Sequence, residues 1–303
     1  MRRPGVLAAV IAVVCALVTG CDPGVGPLHL RIAAGNPGGV YLPLAKPLAA
    51  AWAADLEIAL PEVQETQGSL DNLARLRSDQ ADIAFVAADV AADQPTGIAA
   101  LARIHDDYLH VVVRADSSIT AIEQLKEHRV AIGAPDSGVE YIAHRLLTIA
   151  GLSGRVTTRQ LGFQDSLTAL TRGEIDAFFW SGGLPTVRLA EAAGSTRVRL
   201  LDLEDFIPRM REISPVYGTA TIPASTYHQE KPVTTLLVPN FLIVRSSMPD
   251  DLARGLTAGL FGARTRLAEV NPAALSIDVH PGIETEPLPL HPGALRYFRE
   301  GKP

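Results

Sequence analysis

The chain has 303 residues, of which 27 are basic and 33 acidic, for a formal charge of −6. That acidic balance argues against nucleic-acid binding, which needs a basic face. Its two cysteines, Cys15 and Cys21, are too few and too close to the N-terminus to staple the body, so stability must come from a hydrophobic core.

Met1-Arg2-Arg3 is short and basic, and Val6 to Val18 is an almost unbroken apolar run. A membrane-spanning helix needs roughly 20 such residues, so the shorter run fits the core of a secretory signal. It ends in Leu17-Val18-Thr19-Gly20-Cys21, where small residues before Cys21 resemble the bacterial lipobox. The expectation is a lipoprotein signal peptide over 1–20, lipidation of Cys21 and a Gly- and Pro-rich tether over 21–28. Plain secretion with an incidental Cys21 is the alternative. No second apolar run approaches membrane-spanning length, so the expected product is extracytoplasmic, periplasmic or at the cell surface, and held to the membrane by lipid alone.

Leu30 to Ala34 reads as a strand that enters the turn Gly35-Asn36-Pro37-Gly38-Gly39. Tyr41, Leu44, Leu48 and Trp52 then recur at helical spacing. Glu57 to Val63 is a second strand, Ser69 caps a helix carrying Leu70, Leu73 and Leu76, and Ala81 to Val86 is a buried strand. The order then returns. Arg129 to Ile132 is a strand, Gly133 to Gly138 a turn, and Tyr141, Ile142, Arg145, Leu146 and Ile149 mark a helix. A strand at Val156 to Gln160, a helix from Gln164 or Asp165 and a strand at Ile175 to Trp180 complete it.

The spacing supports duplication. Gly35 precedes Asp82 by 47 residues, and Gly133 precedes Asp176 by 43. Alternating strands and helices imply mostly parallel sheets, so the expected architecture is α/β, with two lobes of related design. No Ser/Gly-rich linker interrupts the middle, which favours two crossings between lobes, near Val111 to Arg114 and between Ile213 and Val244. The first lobe is then 29–112 with 216–303, and the second is 113–215.

In such sheets ligands sit beyond the carboxyl ends of strands, near helix N-termini with free N–H groups. Gly38-Gly39, Ser69, Ser137-Gly138, Asp165-Ser166 and Trp180-Ser181-Gly182-Gly183 stand at those places. Each has a structural alternative. The glycines can serve a tight turn, Ser69 and Ser137 can be N-caps, and Tyr41 and Trp180 can be core. Asp82 and Asp176 read as partners of backbone N–H groups. The eight histidines lack a ligand spacing, so neither a metal nor a cofactor is expected.

Together these stretches resemble the TAXI family, the TRAP-associated extracytoplasmic immunogenic proteins. The matching residues are Gly35 to Tyr41, Thr66 to Leu73, Asp82 to Val86, Ser137-Gly138, Asp176 to Phe179, Gly183-Leu184-Pro185, Ile222 to Tyr227 and His291 to Ala294. The resemblance runs from about Leu30 to Phe298. It implies a type II periplasmic-binding-protein fold, with a ligand cleft between two hinged lobes. It also implies ligands such as glutamate, other amino acids or organic acids. Its implied cleft residues are Gly39, Tyr41, Ser69, Asn72, Ser137, Gly138 and Trp180. The implied partner is a TRAP membrane permease with large and small subunits, and a monomer is expected.

The chain departs from that pattern at Asn36 and Pro37, where the family usually has hydroxyl residues, at Ala87 and Ala88, where it often has polar ones, and at Val139, where Thr is common. A site built to hydrogen-bond glutamate loses affinity without such partners, so a more apolar or larger ligand is an alternative. No Arg occupies these loops, and Asp71 and Glu140 face either an amine or solvent. The expected function is reversible clamshell binding without catalysis. A ligand-sensing lipoprotein is the second reading. A serine hydrolase is the third, and it lacks the Gly-x-Ser-x-Gly elbow at both Ser137 and Ser181.

Overall fold

A computed structural model describes residues 28–195 and 198–301, so Cys21 and nearly all of the expected tether lie outside the described residues. Strand β1 (Arg31–Ala33) leads through the Gly-rich turn into α1 (Tyr41–Asp55), whose Leu44, Leu48 and Trp52 are fully buried at four-residue spacing. Next come β2 (Glu62–Gln64), α2 (Ser69–Arg77), β3 (Ile83–Ala87) and the short α3 (Ala88–Asp93). β4 (Ile98–Arg114) is 17 residues long and carries the chain into the second lobe.

There β5 (Arg129–Ala131), α4 (Gly138–Ile149), β6 (Thr157–Arg159), α5 (Phe163–Thr171) and β7 (Ala177–Gly182) repeat the pattern. They are followed by α6 (Val187–Ser195), β8 (Val198–Leu200), α7 (Ile207–Ile213) and β9 (Gly218–Ile222). β10 (Val233–Arg245) returns to the first lobe. The chain finishes with α8 (Asp250–Gly262), α9 (Arg264–Val270), α10 (Val279–Gly282) and α11 (Pro292–Glu300). Trp52 ties these helices to α1 by donating its indole N–H to the Leu256 carbonyl at 2.9 Å.

The strands form one sheet in the order β2-β1-β3-β10-β4-β7-β5-β6, with β9 on β10 and β8 on β4. In the first lobe β1 lies parallel between β2 and β3, and in the second β5 lies parallel between β6 and β7. The predicted duplication is therefore a duplication of topology. The matched aspartates hold it together. Asp82 follows α2 and accepts from the Arg31 backbone N–H at 2.9 Å and from its guanidinium at 3.1 Å, and from Arg245 at 3.1 Å. Asp176 does the same for Arg129, at 2.8 Å to the backbone and 2.7 Å to the guanidinium. Each clamp fastens the first strand of its lobe to the third.

β4 and β10 pair antiparallel, and they alone among the described strands run through both lobes. Ile98 to Ile104 pack in the first lobe and Leu109 to Val113 in the second. On β10, Val233, Leu236 and Val238 belong to the second core, and Phe241 to Val244 to the first. The crossings thus fall between Ile104 and Leu109, and between Val238 and Phe241. Both differ from the expected boundaries: the first falls ahead of 112 because Leu109, Val111 and Val112 pack in the second lobe's core, and the second falls after 216 because Tyr217, Ile222, Tyr227 and Val233 are buried there too.

Burial opposes ionisation of Asp82, and the hydrogen bonds from Arg31 and Arg245 outweigh it, leaving its pKa below the usual carboxylate value. A depressed native pKa adds stability above the unfolded carboxylate value, and that stability is lost as pH falls through the native one. Asp82→Asn should therefore cost about 1.5 kcal/mol at neutral pH and progressively less in acid. Urea unfolding at pH 7 and pH 3 checks this, and an equal cost at both would refute the clamp's ionic character.

Candidate ligand cleft

The two lobes meet face to face through small residues. Gly68, at the start of α2, has φ +129°, a backbone conformation that favours glycine, and a Cβ there would lie 3.4 Å from the Ser137 Cα. A Cβ on Gly138 would come within 3.0 Å of the Ser69 Oγ. With side chains out of the way, the lobes bond directly. The N–H groups of Leu70 and Asp71 donate to the Asp136 carbonyl across the gap, at 3.1 and 3.2 Å. A second contact joins α3 to α4, where Asp93 accepts from both Tyr141 and Arg145.

Between these contacts lies a cavity with an empty volume of about 570 Å³, part of it open to solvent. The first lobe contributes Gly35, Asn36, Gly39 and Tyr41 at the α1 end, Gln67 to Ser69 at the α2 end, and Ala87 and Asp89 after β3. The second contributes Ser137 to Val139, Ile142, Trp180 and Ser181, while Asp107 and Val238 project from the crossing strands. Gly39, Tyr41, Ser69, Ser137, Gly138 and Trp180, far apart in sequence, are thus brought to one wall.

Asn72 is not among them. It is fully buried below the wall and donates to the carbonyl of Phe85 at 2.7 Å and to that of Ala34, while accepting from Thr66. All of its capacity goes to joining α2 to β1 and β3, so the structure moves it from the cleft to the scaffold. Asp71 and Glu140 also lie off this wall. Asp71 pairs with Arg75 at 2.8 Å, and Glu140 accepts from the Asp136 N–H at 2.8 Å and from Gln160.

The remaining side chains carry structural duties as well. Ser137 is an N-cap, donating to the Ala134 carbonyl at 2.6 Å and accepting from the Glu140 N–H at 3.1 Å. Ser69 accepts from the Ala87 N–H at 3.0 Å. Tyr41 stacks on Phe85 with ring centroids 5.3 Å apart, and its hydroxyl bonds Asn240 on β10 and lies 3.3 Å from Ser69. Burial, then the charge of Asp107, raises the Tyr41 pKa well above its ordinary value, so it remains a neutral donor. Trp180 leans on Phe163 at 4.5 Å and donates to Thr186 at 3.0 Å.

Sequence reading missed two residues, Asp89 and Asp107. Both are buried carboxylates on the cavity wall, at 1% and 8% exposure. Asp89 accepts from Tyr217 at 2.7 Å and from the Val90 N–H at 2.9 Å, and Tyr217 in turn accepts from Arg145 at 3.0 Å. Asp107 accepts from Ser181 at 3.4 Å, and its other oxygen lies 3.2 Å from the His105 Nε2 without forming a hydrogen bond. Neither aspartate stands in a recognisable motif, and only the crossing of the strands brings them to the cleft. Ser181, Asp107 and His105 line up with the carboxylate in the middle, whereas a hydrolytic relay needs the imidazole there.

The sequence profile of the NMT1-like family matches residues 32–301. The chain belongs to the NMT1-like family. This is a periplasmic solute-binding family. Among solved structures, this NMT1-like chain is similar to XAC2383 from Xanthomonas citri, in a structure bound to ATP. The TM-score is 0.56 at 17% identity, over 90% of this chain and 94% of that one. It is similar to the alkanesulfonate-binding protein SsuA from Xanthomonas axonopodis pv. citri bound to MOPS, with TM-score 0.52, 14% identity, and coverage of 92% and 86%. The GluR0 ligand-binding core in complex with L-glutamate gives TM-score 0.51 at 11% identity, over 82% and 97%. These likenesses establish the fold of periplasmic binding proteins, two α/β lobes with a cleft between them. The family match reaches the NMT1-like family and not the TAXI proteins specifically. Among the described residues no helix is long and apolar enough to cross a membrane.

Burial pushes the Asp89 carboxyl up to about 6, against the Tyr217 hydrogen bond and the Arg145 charge. Between the unfolded carboxylate value and that pKa, the native state keeps a proton the unfolded chain has released. Stability therefore falls as pH rises through this window, by on the order of 3 kcal/mol. Asp89→Asn should remove that slope. Denaturant titrations of both proteins at pH 4 to 7 check it, and parallel curves would refute the assignment.

Proposed function

We propose that this chain is the extracytoplasmic solute receptor of a TRAP-type transporter, of the TAXI kind, and that it traps a small polar ligand by closure of its lobes. One observation carries the reading. The cavity is walled by both lobes and by both crossing strands, and backbone groups of α2 and the 133–138 turn bond directly across it. A ligand there touches both lobes at once, so it favours the closed arrangement by its differential affinity for it. An amino acid such as glutamate, or an organic acid, is the expected ligand class, bound reversibly and without catalysis.

The lipobox-like Leu17 to Cys21 supports a mature protein beginning at a lipidated Cys21, held at the outer face of the cell membrane and meeting TRAP permease subunits there as a monomer. Fractionation of cells tests this half of the reading. The protein should partition with membranes, and Cys21→Ser should move it to the soluble extracytoplasmic fraction; an unchanged distribution would argue for plain secretion.

The binding half is tested by thermal shift against amino acids and organic acids. A ligand at 100 times its dissociation constant should add about 2.7 kcal/mol of stability. Trp180→Ala should weaken that ligand at least tenfold, about 1.4 kcal/mol, because the indole is a rigid wall held by Phe163 and Thr186. Failure of every compound to raise the melting temperature would overturn the reading.

A further inference from the structure

The cavity wall carries formal charge of one sign. Among the described residues its charged ones are Asp89 and Asp107, and neither Lys nor Arg lines it. The two carboxylates are not equivalent. Asp89 is satisfied by Tyr217 and the Val90 N–H, and Arg145 stands behind Tyr217. Asp107 is buried, and among the described residues its Oδ1 has no hydrogen-bond partner. Its Oδ2 has only the long contact to Ser181 at 3.4 Å. His105, the nearest titratable neighbour, lies 3.2 Å from Oδ1 without forming a hydrogen bond, and both of its ring nitrogens are unpartnered.

A buried carboxylate with one oxygen unbonded and the other held only by a long contact is costly, and a cation bound against it offsets that cost with a charge-assisted hydrogen bond. The donors that would suit an anion are partly spent. At α2 the Leu70 and Asp71 N–H groups go to the Asp136 carbonyl, and at α4 the Glu140 N–H goes to Ser137. The start of α4 at Gly138 and Val139 is left to face the cavity, where it can orient a small anionic group.

We propose that the ligand of this cleft carries an ammonium or amidinium group that binds Asp107 between the two crossing strands. Dicarboxylates and sulfonates without such a group are excluded by the same carboxylates. A monoamino acid or an amine fits, with any carboxylate directed to the start of α4. This assignment rests on the solute-receptor reading and names the ligand class of that site.

Calorimetry with compounds paired by carbon skeleton tests it: L-glutamate against 2-oxoglutarate, L-alanine against pyruvate, and putrescine against succinate. The ammonium member of at least one pair should bind, with its partner at least tenfold weaker. Asp107→Asn, which keeps the shape and removes the charge, should weaken the ammonium compound at least tenfold while Asp89→Asn has a smaller effect. The paired comparison on the unaltered protein stands even where Asp107→Asn fails to fold. Equal or tighter binding of the compounds lacking an ammonium group, or unchanged affinity in a folded Asp107→Asn, would overturn the assignment and leave the receptor reading in place. Absence of binding by every member, together with an unresponsive thermal-shift screen, would overturn both.

Discussion

The pairing of β4 with β10 is the constraint on which the rest of the molecule depends. Their ladder runs from Leu237 opposite Tyr108 to Arg245 opposite Ile98, with irregular register at Asn240/Phe241 and Leu242/Ile243. Backbone hydrogen bonds along such a pair cannot be abandoned inside a protein without cost. Both lobes are therefore built outward from the same two strands. Where the register slips, one residue is freed from strict alternation. Asn240 sits at that point, fully buried, and takes the Tyr41 hydroxyl of the first lobe. The irregularity lies just beyond Val238, which lines the cavity with Asp107, so the strands that join the lobes also form part of the cavity wall.

Closure then depends on how near two helix starts can come. Gly68 and Gly138 remove the side chains that would hold the lobes apart, and the Asp136 carbonyl caps the start of α2 from the other lobe. A cap supplied across the gap exchanges a solvated helix end for an inter-lobe contact. The Asp93 contacts with Tyr141 and Arg145 place a second attachment on the far side, next to the Tyr217–Asp89 bond. These polar contacts can be replaced by water when the lobes part, which suits a reversible hinge better than an apolar seam would.

Electrostatics separate this cleft from a generic anion trap. Helix starts attract anions, yet the cavity wall adds two aspartates and no cation. Asp89 tolerates burial through Tyr217 and the charge of Arg145 behind it, while Asp107 has little compensation. The fold supplies donors of one kind and the crossing strand supplies an acceptor of the other, so selectivity lies in the strand more than in the loops.

Local pattern alone determined a good deal. Helical spacing at Leu44, Leu48 and Trp52, the two Gly turns and the matched Asp82 and Asp176 placed nearly every element of the duplicated unit, because amphipathic periodicity and turn chemistry act over a few residues. The glycine and serine positions at helix starts were legible for the same reason. Asn72 was misplaced since a polar residue in a helix start looks alike whether it faces a ligand or two buried carbonyls. Local pattern does not locate the return crossing, because burial of Tyr217 and Tyr227 depends on partners distant in the chain. Asp89 lies in an apolar stretch and Asp107 in the polar run Arg103 to Tyr108, neither within a motif, and their meeting requires β3, β4 and β10 to lie side by side. Only tertiary structure could decide that, since burial and charge pairing are properties of neighbours in space, not in sequence.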